Sequence, residues 1–134
     1  MDVFLDVQNV TKTFVAGGNA EYTAVDHVSF QMGTGETLGL VGESGCGKST
    51  LAKLIARLIE PTAGTISLCG EEITKRRGRS LRDAYRQVQM VFQSPMGSFD
   101  PRKTIGYGIG EGLMNQGIPK AERTQRVAAL LEQC

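Results

Sequence analysis

The run Gly42-Glu43-Ser44-Gly45-Cys46-Gly47-Lys48-Ser49 constrains this chain more than any other feature, because of what flanks it. Before it stands Thr37-Leu38-Gly39-Leu40-Val41, short and uncharged, the pattern of a parallel strand buried on both faces. After it, Leu51, Leu54, Ile55, Leu58 and Ile59 recur at spacings of three and four, which predicts a helix over 48–59 that Pro61 stops. Strand, glycine-rich turn and helix in that order make a phosphate cradle. The glycines let successive N–H groups point inward, and the helix N-terminus adds its positive end. The cradle is assigned to Gly42, Ser44, Gly45, Cys46, Gly47, Lys48, Ser49 and Thr50. Lys48 is placed to reach the β- and γ-phosphates of a triphosphate, and Ser49 to give an oxygen to Mg²⁺.

The rest of the chain narrows the setting. Its 134 residues suffice for about one domain, and 15 Lys and Arg against 14 Asp and Glu leave a net charge of +1. That balance removes the broad basic field expected of a protein that lives on nucleic acid or anionic membrane, so any such contact must be local. No apolar run approaches the roughly 20 residues that span a bilayer, and the first residues lack the pattern of a secretion signal, so the chain reads as cytosolic. Cys46, Cys69 and Cys134 are too few and too scattered for a disulfide framework or zinc site, and read as buried or incidental thiols. His27 has no partner cluster. Met90, Met96 and Met114 read as core or contact residues.

Along the chain, Val3, Leu5 and Val7 alternate on one strand face, and Val25, Val28, Phe30 and Met32 mark a second extended stretch beyond the small-residue turn Val15 to Ala20. The first third is therefore β-rich and antiparallel. Residues 65–70 predict a strand, Ser80 a cap for a short helix over 81–87, and Val88 to Phe92 another strand. Helices follow near 104–115 and from Pro119, the last with Val127, Leu130, Leu131 and Cys134 on one face, read as core. Lys75-Arg76-Arg77-Gly78-Arg79, with Arg82 and Arg86, is the one concentrated basic run and reads as a solvated connection.

Ser44 to Leu51, with Gly35-Glu36-Thr37-Leu38-Gly39-Leu40-Val41-Gly42 leading in, resembles the Walker A region of the ATP-binding subunits of ABC transporters. Val88-Gln89-Met90-Val91-Phe92-Gln93 resembles the strand that ends in that family's Q-loop. Ser94 to Gly106, with Pro101-Arg102-Lys103-Thr104, resembles the dipeptide, oligopeptide and nickel importer branch, although Asp100 and Ser94 replace the usual Asn and acidic residue. The resemblance implies an α/β fold: a partial P-loop NTPase domain of ABC ATPase type with an N-terminal antiparallel β segment. Its parts are residues 1–35, β-rich; 36–93, the P-loop core to the Q-loop; and 94–134, the start of a helical subdomain.

The same resemblance implies ATP and Mg²⁺ as cofactors, Lys48 and Gln93 as catalytic residues, Ser49 and Gln93 as Mg²⁺ ligands, and Phe14 as the adenine-stacking aromatic, with Tyr22 as runner-up. A glutamine amide can accept from water or ligate the metal. The implied partners are transmembrane permease subunits, a second ATP-binding subunit and, indirectly, a solute-binding protein, with no nucleic acid. The implied place is peripheral, on the cytoplasmic face of the membrane, and the implied task is import of peptides or nickel. The resemblance covers essentially all 134 residues and the first half or so of the family's domain. No Gly-Gly follows Gly18 and no apolar run ends in Asp-Glu, so the chain alone is expected to bind ATP without hydrolysing it. Two other readings stay open: a P-loop kinase or GTPase of another class, and a non-catalytic interaction fragment.

Overall fold

The computed structural model describes residues 2–18, 20–94, 97 and 99–134. Asn19 in the expected first turn, and Pro95, Met96 and Ser98 in the expected post-glutamine stretch, lie outside the described residues. The chain divides into two compact units, Met1–Met90 and Val91–Cys134.

The first unit is organised by a long hairpin. Strand β1 (Val3–Ala16) pairs antiparallel with β2 (Ala20–Gly33), and β1 also pairs antiparallel with β3 (Ala63–Leu68). A short β4 (Glu71–Glu72) closes the sheet in the order β2-β1-β3-β4, joined to β3 through Cys69 and Gly70. Both turn residues have positive φ, 48° and 79°, the backbone of a type I′ turn.

Of the four register shifts between β1 and β2, the two bulges at Asn9 and His27 decide which residues reach the core. Between the pairs Val7↔Phe30 and Val10↔Val28, β1 spends one residue more than β2, and Asn9 absorbs it at φ 48°. Between Val10↔Val28 and Lys12↔Val25 the extra residue is on β2, and His27 takes it at φ 47°. Each bulge frees a backbone N–H, and a hydroxyl from the other strand accepts it: Ser29 Oγ takes Asn9 N–H at 2.7 Å and Thr11 Oγ1 takes His27 N–H at 3.0 Å. The parity change at Asn9 brings Val10 onto the face of Leu5 and Val7, and the one at His27 brings Val25 in with Val28, Phe30 and Met32.

Helix α1 (Lys48–Ile55) lays Leu51 and Leu54 on that face, where they join Val10, Val25, Ile66 and Ile73 in one buried cluster. It is shorter than the expected 48–59. Arg57 at φ 54° stops it in a Schellman arrangement, with Arg57 N–H donating to Leu54 O at 3.0 Å and Leu58 N–H to Lys53 O at 2.9 Å. Leu58 is consequently half exposed. The Arg57 side chain is buried, its Nε donating to Ile73 O at 3.1 Å. Helix α2 (Gly78–Ala84) begins earlier than expected: Arg77 is the N-cap residue, and Ser80 Oγ donates back to Arg77 O instead of capping.

Two expected strands are not formed. Residues 37–41 and 88–92 carry no ladder, and Val41 and Val91 are almost fully exposed. A parallel strand buried on both faces needs a hydrogen-bonding neighbour and two covering layers, and among the described residues no strand pairs with either run. The three cysteines are free and exposed, which leaves the incidental one of the two expected readings.

In the second unit, α3 (Ile105–Asn115) and α4 (Lys120–Gln133) match the expected helices. Thr104 caps α3 by accepting Tyr107 N–H at 3.2 Å. Val127 packs against Gly106 and Gly110. Only Val127 of the expected apolar face of α4 is buried, with Leu130 and Leu131 about half exposed.

Candidate functional site

Residues 42–46 form an exposed loop that turns into α1 at the half-buried Gly47, whose φ of 96° and ψ of 0° place it in the left-handed region. The loop is seated on the hairpin. A Cβ at Gly47 would overlap the carbonyl oxygen of Ala24 in β2, so the backbone of β2 and the last turn of the loop touch directly. Inside the loop, Cys46 N–H donates to Glu43 O at 3.3 Å.

The charge arrangement suits an anion. No side chain caps α1 and no acidic residue stands in its first turn, so its N-terminal donors keep their positive character. Lys48 folds back over the loop, with Nζ donating to Gly42 O and Glu43 O, each at 2.6 Å, and lying 3.6 Å from Cys46 Sγ. Its ammonium is thereby held at the same mouth that the helix N-terminus faces. Ser49 is exposed and Thr50 half-buried on the first turn.

The hairpin also carries an aromatic pair on the cradle's side of the sheet. Period-two alternation continues the face of Val10 to Lys12 and Phe14, and Phe14 lies directly across from Tyr22. The two rings stack with centroids 5.4 Å apart and planes 23° apart, and Lys12 Nζ sits 5.0 Å from the Phe14 ring. Tyr22 is the more exposed ring, at 57%. It precedes Ala24 by two residues, so one stretch of β2 joins the rings to the loop. Lys12 and Ala24 escaped the sequence reading. The i, i+2 spacing of Lys12 and Phe14 could have indicated the first, whereas a backbone carbonyl leaves no sequence signal.

Gln93 is exposed at a bend in the second unit. After it, Asp100 is clasped by Arg102, whose Nε and Nη2 lie 3.0 and 3.1 Å from its oxygens and whose N–H also donates to it. The Arg102 guanidinium holds the Asp100 carboxyl below its ordinary range, and the pair raises Arg102 in turn. Lys103 Nζ sits 4.0 Å from the Tyr107 ring centroid, and its hydrogen bond to Tyr107 raises the Lys103 pKa. Among the described residues no helix is long and apolar enough to cross a membrane.

Comparison with known proteins gives the chain's family. The family model described as ABC transporter matches residues 25–134. A putative peptide import ATP-binding protein of Brucella ovis is 47% identical over 116 residues, covering 86% of this chain and 37% of that protein. The di/tripeptide transport ATP-binding protein DppF of Pseudomonas aeruginosa is 37% identical, covering 99% of this chain and 43% of that protein. The oligopeptide transport ATP-binding protein OppF of Bacillus subtilis is 44% identical, with coverage of 96% and 43%. This chain thus spans less than half the length of these curated relatives. Among solved structures, a dimeric ATP-binding cassette in a post-hydrolysis state, bound to ADP and Pi, superposes with a TM-score of 0.79 at 25% identity, covering 96% of this chain and 56% of that one. A dimeric bacterial ABC transporter cassette gives 0.82 at 26% identity, with the same coverage.

Proposed function

Because this chain belongs to the ABC transporter family, we propose that it supplies the nucleotide-holding part of an ATP-binding subunit that drives import of peptides, or of nickel, across a membrane. The observation that carries this is the cradle: an uncapped helix N-terminus and the Lys48 ammonium converge on one exposed loop. Backbone amides from Ser44 to Thr50 hold the phosphates, and Lys48 exchanges its two carbonyl contacts for β- and γ-phosphate oxygens. Phe14 and Tyr22 offer the base an aromatic surface, Ser49 would offer its hydroxyl oxygen to Mg²⁺, and Gln93, in the second unit, would offer an amide oxygen. Once bound, the ion neutralises phosphate charge. The donor set fits these groups, since hydroxyl and amide oxygens are ordinary Mg²⁺ ligands and the site has cations but no capping carboxylate.

Residues 1–35 serve the base, 36–93 the phosphates and 94–134 the partner subunits in this reading. The partners are transmembrane permease subunits and a second ATP-binding subunit, with a solute-binding protein acting through the permease, on the cytoplasmic face of the membrane. The names of the peptide-importing relatives and the dimeric cassettes support these assignments. For this chain by itself the proposal is binding without turnover, because the sequence has no apolar run ending in Asp-Glu to provide a base. A thermal melt with and without Mg-ATP tests the cradle. Ligand at a hundred times its dissociation constant stabilises the native state by about 2.7 kcal/mol. The upward shift is expected in the wild type and lost in Lys48→Ala, and equal shifts in both proteins would overturn the assignment.

A further inference from the structure

Six cations, Lys75, Arg76, Arg77, Arg79, Arg82 and Arg86, share one stretch with a single acid, Asp83, a local net of +5 in a chain of net +1. The rest of the molecule therefore carries −4. The structure sorts the six. Arg76 pairs with Glu71 and Arg77 with Glu60, and Arg86 lies 3.8 Å from Asp83. Lys75, Arg79 and Arg82 are exposed and have no carboxylate partner among the described residues. Arg79, Arg82 and Arg86 follow at i, i+3 and i+7, one face of α2 and of the turn that closes it. Ala84, on the opposite face with the half-buried Leu81, belongs to the buried cluster and pins the helix inward.

The chemistry between the cations selects the partner. A specific protein interface needs a buried aromatic or aliphatic anchor at its centre, and Ser80 and Asp83 are what stand among these side chains. The one nearby aromatic, Tyr85, gives its hydroxyl proton to Arg57 O at 2.9 Å. A duplex nucleic acid is held through some 6–10 phosphate contacts, more than the three unpaired cations here provide, Arg79 and Arg82 on α2 and Lys75 in the turn before it. A plane of anionic headgroups imposes no register of contacts, because each cation near it contributes separately, about 1 kcal/mol apiece.

We propose that Lys75, Arg79 and Arg82 form a docking surface for anionic phospholipid headgroups. The surface shares no residue with the phosphate cradle, so the two assignments stand or fall separately. The test is co-sedimentation of the whole chain with vesicles of phosphatidylcholine, with and without phosphatidylglycerol, alongside two triple variants whose fold is checked by circular dichroism. Each basic residue near such a surface is worth about fivefold in partitioning, on the order of a hundredfold for three. Partitioning onto the anionic vesicles is expected to fall by that factor in Lys75→Gln/Arg79→Gln/Arg82→Gln, and far less in the control Lys53→Gln/Lys120→Gln/Arg126→Gln. Equal losses in the two variants, or equal binding to both vesicle types, would overturn the proposal. Retention on duplex DNA or polyglutamate without vesicle binding would overturn it too, in favour of another polyanion.

Discussion

The contact between Gly47 and Ala24 can be isolated by comparing two alanine substitutions in the same loop. Gly45 and Gly47 both have positive φ, 82° and 96°, so an added Cβ strains the backbone of either by about 1–2 kcal/mol. Their surroundings differ. Nothing lies within 4 Å of a Cβ on Gly45, whereas one on Gly47 would overlap the Ala24 carbonyl and stand 3.6 Å from Val25 Cγ2. Neither backbone can give way freely, because Val25 belongs to the buried cluster and Gly47 O accepts the Leu51 N–H at 2.8 Å. Forced shifts of this kind cost about 1–3 kcal/mol more. Gly45→Ala should therefore lose about 1–2 kcal/mol of unfolding free energy in urea, and Gly47→Ala about 2–5 kcal/mol. Mg-ATP affinity should drop further in Gly47→Ala, since the seat of the cradle moves. Equal denaturation midpoints for the two variants would refute the claim that β2 supports the loop by direct contact.

Leu54 is fully buried while Leu58 lies beyond the end of α1 at 49% exposure; Leu54→Ala should cost about 2–5 kcal/mol and Leu58→Ala within about 0.5, read from urea midpoints. Replacing either Phe14 or Tyr22 by Ala should weaken ATP by about 1–3 kcal/mol in calorimetry while sparing tripolyphosphate. Equal loss of both ligands would make the rings packing groups. The Asp100 carboxyl should titrate below the ordinary 3.8 and return toward it in Arg102→Gln. Any stability from the pair is then present above the ordinary value and lost as pH falls through the lowered one. An NMR titration with the same midpoint in both proteins would contradict this.

What the sequence discloses is whatever is encoded locally. The glycine-rich loop that opens α1, the helices near 104–115 and after Pro119, and the antiparallel hairpin all follow from spacing and turn chemistry within a few neighbours. The bulges at Asn9 and His27 do not, because a left-handed asparagine or histidine looks no different from an extended one until its partner strand is known. Arg57 hides the end of α1 for a similar reason: a glycine there would signal a stop, and an arginine in the same backbone state does not. Residues 37–41 and 88–92 carry a strand's composition, but composition does not supply the neighbour that a ladder requires.

The Asn9 bulge gives β1 one residue more than its pairing needs, and that surplus sets where the chain tolerates a change of length. Deleting Asn9 leaves Leu5, Val7, Val10, Lys12 and Phe14 in unbroken alternation, so every one of them keeps its side of the sheet. Deleting Thr11, two positions on, has no such solution. With the bulge kept, Phe14 turns to the far side; with the bulge erased, Val10 leaves the core instead. A single codon lost at one place is therefore silent in facing, and lost at its near neighbour it sets the hydrophobic interior against the aromatic ring beside the cradle.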